Sequence, residues 1–219
     1  MEKEKRRQKV RVFQGNARLA SLLIVILGLL CGGGWIFFNK GLYLLPEEMC
    51  EGALGRDAVK RVLPQARAAE SGSRSQGAGR DLTFSCHVTT SGDSILSGKA
   101  QVRSLSREEW LEYYRGPGGR HQVIRVSVGD IEALALTESR ATSSVYVPCT
   151  PPSVPSYEAS QPYAVIGETW VYGQAEATGE PLRQDLTDFA YQLAVHAYQL
   201  AECKAPRDFP KELPRYEDR

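Results

Sequence analysis

The longest apolar run in the chain covers residues 19–38, which contain no charged side chain. About 20 apolar residues rising ~1.5 Å each form a helix that crosses a hydrocarbon core of roughly 30 Å. Seven basic and two acidic residues precede the run, whereas Glu47, Glu48 and Glu51 follow it closely. Because cationic flanks stay cytoplasmic, the pattern predicts a transmembrane helix at 19–38, a basic cytoplasmic tail at 1–18 and an exported remainder. The predicted localisation is therefore the cell membrane, with a single pass into the lipid bilayer.

Two features inside this run allow more than one interpretation. A cleaved signal peptide has a similar layout, but the apolar run resumes at Trp35 beyond any cleavage point, which favours an uncleaved anchor. Gly28 and Gly32 have the Gly-x-x-x-Gly spacing that lets membrane helices pack closely. This spacing is consistent with a homodimer, although glycines are also common in membrane helices that do not pair.

After a connector at 39–46, the periodicity predicts one domain at 47–203. Helical spacing predicts a helix over 50–65, whereas the Gly-, Ser- and Arg-rich residues 66–80 are predicted to form a mobile loop. Alternating patterns at 81–90 and 97–104 predict a β-hairpin.

Further along, Ser106 and Glu109 have the spacing of a capping box and predict a short helix that ends at Gly116. Alternation predicts strands at 121–128, 131–136, 144–147 and 163–172, with a proline-rich crossing loop at 148–162. A final helix is predicted at 181–203, followed by a flexible C-terminal tail at 204–219. This order predicts an α+β fold with a mostly antiparallel sheet and packed helices.

Four cysteines lie beyond the apolar run, namely Cys50, Cys86, Cys149 and Cys203. An even number in an exported domain predicts two disulfides, for which three connectivities exist. We favour Cys50 with Cys86 and Cys149 with Cys203, because each pair joins a helical segment to a strand nearby in sequence.

Charge and composition exclude some partners. The net charge is +1, and no basic stripe follows the apolar run, so we predict no nucleic-acid partner. The only asparagines are Asn16 and Asn39, and neither begins a glycosylation sequon. Together with the excess of arginine over lysine, this indicates a bacterial envelope protein.

Residues with catalytic potential form no recognised motif. Three histidines (His87, His121 and His196) are enough for a catalytic zinc site but lack a known ligand spacing, so we predict no metal and no cofactor. Ser94 lies in a predicted hairpin turn rather than at a nucleophile elbow. Asp185 and Asp188 are explained as helix first-turn acids.

The final helix has a second apolar stripe formed by Tyr191, Val195 and Tyr198, nearly opposite its Leu- and Phe-rich face. A helix that is apolar on two sides is either sandwiched within its domain or meets a partner. The stripe is thus a candidate binding surface for another envelope protein.

Four segments, at 49–54, 82–88, 145–149 and 200–203, resemble uncharacterised membrane-anchored proteins of actinobacteria. The resemblance implies a single N-terminal span before a cysteine-paired exported domain, and it implies no activity. We therefore expect a non-catalytic domain that binds a protein or a small ligand. The alternative is an envelope hydrolase or a zinc enzyme that uses His87, His121 or His196.

Overall fold

The computed structural model describes residues 25–28, 41–137, 141–152, 154, 155, 158, 160–204 and 206–216. The chain divides into a unit of residues 1–40 and a unit of residues 41–219. Of the predicted span at 19–38, only residues 25–28 are described, and these are helical. Among the described residues, no helix is both long and apolar enough to cross a membrane. The predicted anchor therefore lies largely outside the described residues and stays a prediction.

The second unit is built on a seven-stranded sheet in which every neighbouring pair is antiparallel. Its strands are β3 (Ala69–Gln76), β4 (Thr83–Thr90), β5 (Ile95–Ser104), β6 (Val123–Val128), β7 (Ile131–Leu136), β8 (Thr142–Pro148) and β9 (Tyr163–Tyr172). They lie in the order β3-β4-β5-β9-β8-β7-β6. The last strand in the sequence, β9, thus lies at the centre of the sheet, between β5 and β8. A separate two-stranded ribbon contains β1 (Glu48–Met49) and β2 (Leu54–Gly55).

The described part of the domain contains three α-helices: α1 (Arg56–Val62), which packs on the long helix, and α2 (Arg107–Arg115) and α3 (Gly179–Leu200), which pack on the sheet. The long helix α3 packs across β5, β8 and β9. It approaches closely because Gly98 and Gly167 face it, and a Cβ on Gly167 would lie 2.3 Å from the carbonyl oxygen of Ala190. On the opposite face, α2 places Trp110 and Tyr114 over β7, β8 and β9.

Several local predictions are confirmed. The fold is α+β, and β4 and β5 form the predicted hairpin. The capping box is present, because Ser106 Oγ accepts from the Glu109 amide while the Glu109 carboxylate accepts from the Ser106 amide. Disulfides join Cys50 to Cys86 and Cys149 to Cys203, and both fit an extracytoplasmic location.

Other predictions near the start of the domain are wrong. The predicted helix at 50–65 is reduced to Arg56–Val62, because the chain turns at Cys50, Glu51 and Gly52, which all have positive φ. The predicted connector at 39–46 belongs to the domain from Gly41 onward, since Leu42 and Leu45 are buried in the core.

The described residues of the two segments predicted to be mobile or flexible have a defined conformation. Residues 66–80 contain β3, which pairs with β4 along its whole length. The C-terminal residues 206–216, here called the C-terminal strap, return along α3 and bury Leu213 and Tyr216. The predicted flexible tail at 204–219 is therefore wrong for the strap.

A candidate binding groove between α1, α3 and the C-terminal strap

A cavity of about 530 Å³ lies where α1, α3 and the C-terminal strap meet. That is within the range of roughly 300–1,000 Å³ typical of small-molecule sites. Its lining residues are Arg61, Glu180, Pro181, Gln184, Asp185, Asp188, Glu212, Arg215 and Tyr216. The wall thus carries four carboxylates and two guanidinium groups, and its net charge is negative.

Residues from α3 form the floor of this groove. Asp185 is 8% exposed and accepts a hydrogen bond of 2.7 Å from Arg61 Nε on α1. One turn later, Asp188 Oδ1 accepts a hydrogen bond of 2.8 Å from Gln184 Nε2. Because residues three and four apart share a face of a helix, these three side chains point to the same side. They lie beyond the first turn, so the helix dipole does not account for Asp185 and Asp188.

The C-terminal strap forms the opposite wall and is held by several contacts. The amide of Tyr216 donates to Gln184 Oε1 at 3.2 Å, and its hydroxyl lies 2.8 Å from Thr187 Oγ1. Arg215 reaches Asp188 with a longer ion pair of 3.7 Å. The strap is therefore fixed at the groove by buried polar contacts, while its charged side chains line the cavity.

Burial affects two carboxylates in the groove. Burial raises the pKa of Asp188, and the neighbouring charges of Asp185 and Glu212 raise it further, whereas Gln184 and Arg215 lower it. Glu180 Oε1 has no accessible surface, and no hydrogen-bond partner is found for it among the described residues. A cation in the groove beside Asp188 would offset part of the cost of burying this carboxylate.

A smaller cavity of about 220 Å³ adjoins the first, because both are lined by Arg61, Asp188 and Glu212. Most of its remaining lining is apolar: Ala53, Leu54, Gly55, Ala58, Phe189 and Tyr191, with Gln192 and Lys211. The groove therefore has an anionic part and an apolar part side by side. Such an arrangement suits a ligand with a cationic group and a hydrophobic group.

The predicted partner-binding stripe does not form an open surface. Tyr191 and Tyr198 are 1% and 5% exposed, and Val195 is half-buried. Phe209 of the C-terminal strap packs its ring against both tyrosines, and the Tyr191 hydroxyl donates to the carbonyl of Pro210 at 2.6 Å. The helix is apolar on two sides because the sheet covers one face and the strap of the same chain covers the other.

The three histidines lie on different elements and are not brought together. His87 projects from the face of the sheet opposite α3, where its ring lies over Gly72. His196 is on α3, where its ring packs against that of Phe84 at a tilted angle, and its Nε2 atom lies 3.3 Å from Glu51. His121 follows α2 and lies against Gly116. Within the part of the chain that the structure describes, no group of three His, Cys, Asp or Glu residues is placed to hold a metal ion.

Ser94 has a structural role in the turn between β4 and β5. It is fully buried, its carbonyl accepts from the Thr90 amide at 2.9 Å, and its Oγ accepts from the Gln174 amide at 3.0 Å. Of the predicted membrane-packing pair, Gly32 lies outside the described residues, so this pairing stays a prediction.

In comparisons with protein-family models, curated protein sequences and solved structures, this chain matches none. The groove must therefore be interpreted from its own chemistry. Sequence reasoning missed it because Arg61, Glu180, Glu212 and Arg215 are ordinary surface charges by sequence. The one available signal was the set of apolar residues Phe209, Leu213 and Tyr216 within the charged C-terminal residues, which indicates a segment that packs.

Proposed function

We propose that this protein is a membrane-anchored, extracytoplasmic binding protein whose groove holds an amphipathic cation. The cationic group would lie in the part of the groove that Glu180 and Asp188 both line, and the apolar group would occupy the adjoining cavity beside Leu54 and Phe189. The anchor is supported by the uncharged run at 19–38, and the location by the two disulfides.

The observation that carries the proposal is the pairing of the two cavities. Alone, the larger cavity is a charged surface depression; with the apolar cavity next to it, the groove offers charge recognition and hydrophobic burial to one ligand. Arg61 is already paired with Asp185, so it contributes little to attracting an anion. Glu180 and Asp188 therefore set the sign of the preferred ligand.

Binding should depend on the charge of the ligand at constant apolar volume. We suggest calorimetric titration of the full chain in lipid nanodiscs with phenethylamine, 2-phenylethanol and phenylacetate. These probes share an aromatic ring and differ in carrying a cation, a hydroxyl or an anion. Phenethylamine should bind at least about tenfold more tightly than either of the others, since a charge-assisted hydrogen bond contributes about 1.5–3 kcal/mol. Equal affinities for all three probes, or no binding of any of them, would contradict the proposal.

Two variants locate the site. Glu180→Gln should weaken phenethylamine binding by about tenfold, because it replaces a carboxylate whose buried oxygen has no protein partner among the described residues. Glu112→Gln is the matched control: it makes the same change at an exposed position on α2, which packs on the other side of the sheet. If both variants bind as the wild type does, the cation does not lie in the groove.

A further inference from the structure

The edge strand β3 has a polarity and a charge order that suit pairing with a second copy of itself. It is the outermost strand of the sheet, and among the described residues no strand pairs with its free side. Most of its residues are exposed, and it contains no proline, which is the residue that commonly blocks an edge. An open edge of eight residues is a template for another strand.

The hydrogen bonds between β3 and β4 determine which backbone groups of β3 point away from β4. The Ser91 amide donates to the Ala68 carbonyl at 2.9 Å, and Ser85 Oγ donates to the Arg74 carbonyl at 3.3 Å. Even-numbered residues of this strand therefore direct their backbone groups toward β4. Because these groups alternate along an antiparallel strand, those of Ala69, Ser71, Ser73 and Ser75 point to the free side.

We propose that two copies of this chain associate through antiparallel pairing of their β3 strands about Gly72. In this register Ser71 of one copy lies opposite Ser73 of the other, and Ala69 lies opposite Ser75. These are the residues whose backbone groups point outward, so about eight hydrogen bonds form across the two-fold axis. The two seven-stranded sheets then become one continuous sheet.

The side chains select this register. Glu70 of one copy lies directly opposite Arg74 of the other, and the symmetry creates this ion pair twice. Both residues are exposed, and both lie on the face of the sheet opposite α3, together with Gly72. Directly opposed charges of unlike sign stabilise a strand pair, and like charges destabilise it. Shifting the register by two residues, which keeps the outward backbone groups matched, loses both ion pairs. This inference does not depend on the proposed ligand.

Charge exchange tests the proposal in the full chain, purified in mild detergent and studied by sedimentation velocity. The wild type should form a dimer, and Glu70→Arg or Arg74→Glu should each raise its dissociation constant at least about tenfold, because each places like charges opposite one another twice. An equal mixture of the two single variants should restore association, since unlike charges then face each other across every pair. The double variant should also restore it.

The control is Arg103→Glu, which makes the same charge change at an exposed position on β5 and should leave the dimer intact. Thermal melting of each variant verifies that the sheet is folded. The proposal is overturned if the wild type stays monomeric, if the single variants dimerise as the wild type does, or if their mixture associates no better than each alone. A dimer that ignores these charges would instead reflect contacts elsewhere, such as Gly28 and Gly32.

Discussion

The C-terminal strap and β3 are both polar in sequence and both ordered in the structure, but different forces order them. The strap buries Leu213 and Tyr216, packs Phe209 on two tyrosines and makes no strand or α-helix. In contrast, β3 is largely exposed, and an eight-residue ladder with β4 holds it in place. One segment is therefore fixed by side chains, whereas the other is fixed by its backbone.

This difference also separates the two proposed activities. Because apolar side chains fix the strap on α3, its charged side chains Glu212 and Arg215 can face the groove between α1 and α3. Because β3 uses only half of its backbone groups against β4, the other half remain available to a second strand. Substitutions that act on side chains should therefore disturb the strap, and those that act on the backbone should disturb β3.

The largest effect is expected from removing the disulfide at the base of the strap. Cys149→Ser with Cys203→Ser opens a loop with a sequence separation of 54 residues, and the chain-entropy model gives a loss of about 4 kcal/mol in the free energy of unfolding. Urea denaturation measures this loss. Hydrogen exchange should show the strap opening before β3, and the reverse order would contradict the comparison.

Side-chain truncation should separate the two segments next. Leu213→Ala removes a buried side chain, 3% exposed, and should lower the free energy of unfolding by about 2–4 kcal/mol. Ser75→Ala on β3 should change it by less than about 0.5 kcal/mol, because that side chain is exposed. Denaturation of the two variants side by side tests the claim, which fails if their losses are similar.

Proline substitutions within β3 should lower the free energy of unfolding through the backbone, by an amount that depends on the direction in which the lost amide points. Arg74→Pro removes an amide that faces β4 and should cost about 2 kcal/mol, because a ladder hydrogen bond is lost and its acceptor is left unpaired. Ser73→Pro removes an amide on the free side and should cost markedly less. Equal losses of stability in thermal melts of the monomer would mean that the assignment of outward and inward groups is wrong.

The smallest effect concerns the pH dependence at Asp188. Its pKa is raised in the folded state, so this carboxyl favours folding when protonated and loses that contribution as pH rises through the folded pKa. Asp188→Asn should therefore raise the midpoint of thermal unfolding at pH 7. The corresponding gain in the free energy of unfolding should be no more than about 1 kcal/mol. Below the ordinary aspartate pKa of about 3.9 the gain should vanish. Equal midpoints for the variant and the wild type at pH 7 would contradict this account of Asp188.

Local signals in the sequence predicted the local structure well. The alternation in β4 and β5, the capping box at Ser106 and the disulfide pairs all depend on neighbours that a pattern reveals. The strand β3 was not predicted, because apolar residues do not alternate in its sequence, Ala-Glu-Ser-Gly-Ser-Arg-Ser-Gln. Its order comes from β4, and a single-sequence pattern does not contain that information.

The second apolar stripe of α3 shows again that a single-sequence pattern does not reveal which distant segment packs on an element. The sequence correctly located Tyr191 and Tyr198 opposite the main apolar face, but it could not identify the C-terminal strap as the segment that covers them. Covering requires a reversal after α3, which Glu202 makes with a positive φ. The groove arises only after that reversal, so neither its cavity nor its charge balance could be predicted.

Hydrogen exchange of the full chain, followed by mass spectrometry with and without phenethylamine, tests the central claim most directly. We predict that residues 209–216 exchange slowly because the strap is anchored on α3, and that phenethylamine slows their exchange further while leaving α2 unchanged. If the strap exchanged at the rate of an unstructured peptide, or if the amine slowed no exchange in α1, α3 or the strap, the groove and its proposed function would be contradicted.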